Sequence, residues 1–249
     1  MHSIAFAGKG GTGKTTLAGI LIRFLVEKGL TPVLAVDADA NCNLNEVLGL
    51  EVTGTLGEAR EQMKKGVASG MTKDVFMEMK LQEAVVESEG FDLIVMGRPE
   101  GAGCYCAANS LLTQYLEKLI DNYRYVVMDN EAGMEHLSRL TTNNVDALVV
   151  VSDATRRGLQ AASRIVSLAD ELKLNIRDKY VLVNLAKDGQ AQEIREAAEA
   201  FGLELIGVVP EDEDIRAYDF KGIPTMELPR DNQALRAAYD IFEKLVSSL

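Results

Sequence analysis

The chain has 249 residues, 47% of them hydrophobic, and a formal net charge of -12 from 38 acidic and 26 basic side chains. That length can bury one continuous core of a large α/β domain, and the acidic balance speaks against a non-specific nucleic-acid surface or a grip on anionic lipid. Three cysteines make no disulfide framework, so the expected compartment is the reducing cytoplasm, where thiols stay free or bind metal.

The first predicted element is an apolar strand over 3–7 with no charged leader before it, so no signal peptide is expected. Gly8-Lys9-Gly10-Gly11-Thr12-Gly13-Lys14-Thr15-Thr16 follows it and opens a helix with an apolar stripe of Leu17, Ile20, Leu21, Phe24 and Leu25. Strand, glycine-rich turn and helix in this order are the setting of a P-loop. Glycines let backbone amides turn inward around phosphate oxygens, and the helix N-terminus adds its positive end. Lys14 is expected on the β- and γ-phosphates, with Thr15 holding Mg2+ through its hydroxyl. Lys9 is a second cation early in the loop. The phosphate site is already served by Lys14, so a nucleotide in a facing subunit is its better use.

A strand over 32–36 ends in Val36-Asp37-Ala38-Asp39-Ala40-Asn41, at the carboxyl edge where ligands bind in open α/β sheets. The two carboxylates can serve a metal shell and an attacking water, or they can cap the following helix. Cys42 reads as a small packed hydrophobe. In 51–90 the pattern is broken by Gly54, Gly57, Gly66 and Gly70 before a helical stretch from about Thr72 to Ser88, which predicts an insertion over one edge of the sheet. Met71, Met77 and Met79 there suit core or client contact better than a soft-metal site, because Glu78 and Lys80 interleave them.

After a strand over 91–96 comes Gly101-Ala102-Gly103-Cys104-Tyr105-Cys106. In an extended segment residues i and i+2 face the same way, so both thiolates can converge on one ion. Two sulfurs leave Zn2+ or Ni2+ short of four ligands, and a second copy across a two-fold axis would complete the set. The alternative is a pair of inert buried thiols; redox centres usually use C-x-x-C. A strand over 124–129 ends in Asp129, the form of a Walker B carboxylate that binds Mg2+ through water. Asn130-Glu131-Ala132-Gly133 continues it as a loop able to move with the γ-phosphate. His136 stands alone and reads as structural or tied to that loop.

Strands over 146–151, 179–184 and 204–209 complete the series, with an apolar stripe of Ile165, Leu168, Ala169 and Leu172 after the first. Asn184 ends the second and Val209-Pro210-Glu211 the third. Ala234 to Leu249 is amphipathic, and Asp240 and Glu243 leave it no basic face, so it is expected on the sheet and not on a membrane. No apolar run approaches the roughly 20 residues of a membrane span. The βαβ alternation predicts a single domain over 1–249: a mostly parallel twisted sheet of about seven or eight strands with helices on both faces.

KGGTGKT resembles the deviant Walker A family, which includes septum-site and plasmid-partition ATPases, the nitrogenase iron protein and metallocluster maturation factors. The resemblance implies that Lys9 reaches across a two-fold interface to the partner's phosphates, hence a nucleotide-promoted homodimer. It gives Asp39 the attacking water and Asp37 support of the Mg2+ shell, and it sets Asn184, Pro210 and Glu211 at positions that contact adenine. KGGTGKT, DADAN, the CxC and DNEAGMEHL together resemble the carbon monoxide dehydrogenase accessory proteins over essentially the whole chain. This implies ATP/ADP and Mg2+ as cofactors, with Lys9, Lys14 and Asp39 serving hydrolysis. It also implies Ni2+ or Zn2+ on Cys104 and Cys106 shared across the dimer, and carbon monoxide dehydrogenase or acetyl-CoA synthase as client of nickel insertion. Two rivals share the superfamily. A partition or positioning ATPase is opposed by the charge and the tail, and an iron-sulfur carrier would use widely separated cysteines, not CxC.

Overall fold

The computed structural model describes residues 1–39, 43–66, 70–97, 116–130 and 145–249, and at 64 and 65 the backbone alone. Runs such as Ala147–Val151 are buried on both faces, which only strands between two covering layers can satisfy. They assemble β1 (His2–Gly8), β2 (Val33–Ala38), β3 (Val85–Glu87), β4 (Phe91–Val95), β5 (Tyr125–Asn130), β6 (Val145–Asp153), β7 (Ile176–Ala186) and β8 (Leu205–Pro210). One eight-stranded sheet results, in the order β3-β4-β2-β5-β1-β6-β7-β8. Every neighbouring pair is parallel except β3 with β4. This is the mostly parallel α/β sheet that the alternation predicts.

Side chains alternate along each strand and feed two cores. Ile4 and Phe6 of β1 pack with α1 (Lys14–Glu27), whereas Ala5 and Ala7 face the opposite layer. Further helices are α2 (Leu44–Leu48), α3 (Leu56–Lys65), α4 (Lys73–Ala84), α5 (Arg156–Glu171), α6 (Ala191–Ala200), α7 (Glu213–Lys221) and α8 (Gln233–Ser247), and residues 116–120 are helical as well. On the α1 side Phe242 of α8 is fully buried and meets Phe6 edge-on at 6.4 Å, so the C-terminal helix lies on the sheet as expected. Among the described residues no helix is long and apolar enough to cross a membrane.

The insertion departs from expectation in one respect. The helix ends at Ala84, and residues 85–87 form edge strand β3. Two β-branched valines in succession favour a strand, and β4 offers an unpaired edge for them to satisfy. Gly90, at φ 84, lets the chain double back so that Val85 opposes Ile94. Helices α3 and α4 cover the sheet face beside this edge through Leu56, Met63, Phe76, Met77 and Leu81, in one cluster with Leu34, Val36 and Ile94. Met77 is wholly buried, a core residue. Strand β1 stands at the centre, and the chain leaves it first toward β2 and later toward β6. Its carboxyl end is therefore the topological switch point, where open α/β sheets bind ligands.

Candidate functional site

The loop over 8–13 joins β1 to α1 at that switch point. Gly8 has φ 146 and lies so close to β6 that a Cβ would come to 2.3 Å from the Val151 carbonyl oxygen. Gly13 caps α1 in the left-handed region at φ 83, a conformation that costs an L side chain but not glycine. Among the described residues a Cβ at Gly10 or Gly11 would meet nothing within 4 Å. The Thr12 hydroxyl donates to the Lys9 carbonyl at 2.9 Å, and Lys14 Nζ donates to the same oxygen at 3.3 Å. Lys14 is thus held in the loop it is expected to serve. Lys9 is exposed; Thr15 and Thr16, in the first turn of α1, are half-buried.

The strand register brings the two carboxylates together. Asp37 of β2 is aligned with Asp129 of β5, and both share strand parity with residues that face α1, such as Ala35 and Val127. Both are buried. Asp37 Oδ1 accepts the Asp39 N–H at 3.1 Å and Oδ2 the Leu44 N–H at 3.0 Å, which ties the strand end to the start of α2. The capping use of Asp37 is therefore present, with second lone pairs left for a metal-bound water. Asp39 is half-buried beside it.

Among the described residues Asp129 Oδ1 has no hydrogen-bond partner although it is buried. Burial pushes the Asp129 carboxyl up to about 7, the Thr15 hydroxyl and the Lys14 ammonium opposing the shift and Asp37 and Asp39 adding to it. Asp37 is raised to about 6, again chiefly by burial, against the two backbone N–H bonds. A buried acceptor without a donor is costly and rare. Here the orphan carboxylate oxygen, the Thr15 hydroxyl and the neighbouring Asp37 are the hard oxygen donors that Mg2+ takes, so the residues fit that ion.

On the other side of the loop, Asn184 of β7 donates from Nδ2 to the Thr12 carbonyl at 2.9 Å. Pro210 is aligned with Ala186, and the Glu211 N–H donates to the Ala186 carbonyl at 2.9 Å. The ends of β7 and β8 thus set Pro210 and Glu211 against Ala186, two residues beyond the Asn184 that meets the phosphate loop, with the Glu211 carboxylate paired to Arg216 at 2.8 Å. Asn130, which the sequence places only at the start of a loop able to move with the γ-phosphate, also has a structural part. Its amide donates to the Phe6 carbonyl at 2.9 Å, pinning the end of β5 to β1, and an amide directly after Asp129 at the close of an apolar run is the available signal. Cys42, Cys104, Cys106, Glu131, Gly133 and His136 lie outside the described residues. Among the described residues no group of three or more His, Cys, Asp or Glu side chains is arranged to hold a metal ion by itself, so the Asp129–Asp37 pair needs the Thr15 hydroxyl and the phosphates to complete a Mg2+ shell.

Comparison with known proteins agrees with this geometry. The chain is 45% identical over 249 residues to an uncharacterized ATP-binding protein of Methanocaldococcus jannaschii, with 98% of each chain covered. It is 31% identical over 239 residues to the carbon monoxide dehydrogenase accessory protein CooC of Rhodospirillum rubrum, covering 90% of this chain and 89% of that one. The septum site-determining protein MinD of Pyrococcus horikoshii OT3, solved in complex with Mg-ADP, superposes with a TM-score of 0.69 at 22% identity, over 98% of this chain and 95% of that one. Residues 4–225 match the family model of the CobQ/CobB/MinD/ParA nucleotide binding domain, and the chain belongs to that family.

Proposed function

We propose that this chain is a Mg2+-dependent ATPase acting in the cytoplasm as a homodimeric maturation factor, one that assists nickel insertion into carbon monoxide dehydrogenase or acetyl-CoA synthase. The observation that carries the ATPase reading is the meeting of the loop over 8–16 with the orphan buried oxygen of Asp129. Lys14 exchanges the Lys9 carbonyl for β- and γ-phosphate oxygens, and the loop amides and the N-terminus of α1 share the remaining negative charge. Asp39 holds the water that attacks the γ-phosphorus; the bond from phosphorus to the β–γ bridging oxygen breaks, and ADP and phosphate leave. Mg2+ held at Thr15 and Asp129, with Asp37 behind, supplies charge that offsets the phosphates. Asn184, Pro210 and Glu211 take the adenine, and Lys9, exposed at the mouth of the loop, reaches the nucleotide of the second subunit.

The maturation reading rests on the likeness to the accessory protein along nine-tenths of the chain, together with the CxC at Cys104 and Cys106. Four thiolates from two subunits suit Zn2+ in a tetrahedron or Ni2+ in a square plane. Equilibrium dialysis against Ni2+ and Zn2+, alongside light scattering, should give one metal per dimer. Cys104→Ser and Cys106→Ser should each abolish it, because symmetry removes two ligands at once. One metal per monomer, or full binding in the double variant, would overturn the shared site.

A further inference from the structure

Asn184 lies at the end of the regular ladder of β7 and is buried. Its amide crosses to the phosphate loop, a residue 172 positions away, and donates to the Thr12 carbonyl. The approach is so close that a Cβ at Gly13 would come to 2.4 Å from Nδ2. The next residue, Leu185, has φ 58, in the left-handed region that leucine rarely adopts. There the pairing with β8 slips between Val183 and Ala186. Backbone strain of this kind persists only where its surroundings over-determine it, and it collects at functional sites.

Thr12 is fixed from two sides, its hydroxyl on Lys9 and its carbonyl on Asn184. In a planar trans peptide the C=O and the following N–H point in opposite directions. Holding the Thr12 carbonyl toward β7 therefore holds the Gly13 N–H away from β7, and this decides which way one amide of the loop faces. We propose that Asn184 is a positioning residue for the phosphate loop: from β7 it clamps the Thr12–Gly13 peptide in its phosphate-receiving orientation, independently of any base.

The inference rests on reading residues 8–16 as a phosphate loop, and a ligand without a base separates it from an adenine contact. Isothermal titration of tripolyphosphate with Mg2+, and in parallel of ATP with Mg2+, is to be run on the wild type, Asn184→Ala and Asn184→Ser. Thermal melts identify the folded samples, and the serine variant keeps a donor near the site should the alanine variant fail to fold. The clamp predicts that tripolyphosphate weakens about tenfold in the alanine variant, the scale of leaving one buried carbonyl unpartnered, and that ATP, which also loses an adenine contact there, weakens by at least that factor. Loss of ATP affinity with tripolyphosphate affinity unchanged would make Asn184 a base contact alone and overturn the clamp, as would unchanged affinity for both. A wild type that binds neither ligand would instead refute the phosphate-loop reading itself.

Discussion

Asp129 and Asp37 show how burial sets chemistry one residue at a time. An ordinary aspartate has its pKa near 3.8, whereas Asp129 is raised to about 7 and Asp37 to about 6. Between about pH 4 and 7 the folded chain keeps protons that the unfolded chain has released. The contribution of these groups to stability therefore falls as pH rises through that window, by up to about 1.4 kcal/mol per pH unit for each group, and is flat above it. Asp129→Asn removes the ionisation and should stabilise the nucleotide-free chain by about 1–3 kcal/mol at pH 8, with the gain shrinking toward pH 4. Urea unfolding across that range measures it, and a gain that grows on acidification would contradict burial as the cause. Holding Mg2+ needs the carboxylate ionised, so the affinity for ATP with Mg2+ should weaken as pH drops below 7 in the wild type. Lys14→Ala should abolish hydrolysis, an electrostatic loss of several kcal/mol in sites of this kind; phosphate release at the wild-type rate would remove Lys14 from the role.

At the scale of elements, α8 and α1 close one face of the sheet around three aromatic rings. Phe242 meets Phe6 at 6.4 Å and Phe24 at 6.2 Å, and all three are buried. Phe242→Ala should cost about 3–5 kcal/mol, the range for an aromatic removed from a packed core, read as a lower urea midpoint with an unchanged slope. A loss below about 1 kcal/mol would mean that the layer repacks freely. The buried Arg23 donates to the Leu228 carbonyl at 2.7 Å and pairs with Glu27 at 3.0 Å. It thereby fastens the helix that starts at the phosphate loop to the segment leading into α8.

The chain carries a formal net charge of -12, so two copies repel at long range, and the proposed homodimer has that repulsion to offset. Asp39→Ala, which retains the phosphate loop, should bind ATP, hydrolyse it slowly and sediment as a long-lived dimer. Lys9→Ala should bind ATP and remain monomeric. Because the repulsion is screened by salt, ATP-dependent dimerisation of the wild type should strengthen as ionic strength rises from about 0.01 to about 0.15 M. Sedimentation velocity measures all three, and a Lys9→Ala dimer as stable as the wild type would remove the bridging role.

The sequence alone determined the elements whose signals are local. Seven strands were legible from short runs of Val and Ile, the P-loop from glycines between a strand and a helix, and C-terminal helix packing from one apolar stripe. Strand β3 was not legible, because three residues beside a helix carry no period of their own and become a strand only where β4 offers an open edge. Asp37 and Asp129 could each be named from the chain. That they are aligned on neighbouring strands, and that burial raises both, follows from sheet order, which brings together residues 92 positions apart. In the same way Asn184 was visible as a residue at a strand end, yet its bond to Thr12 exists only because β1, β6 and β7 lie side by side. Local pattern decides what forms; which side chains then share a low-dielectric site is decided by packing, where solvent is excluded and each buried polar group must find its partner.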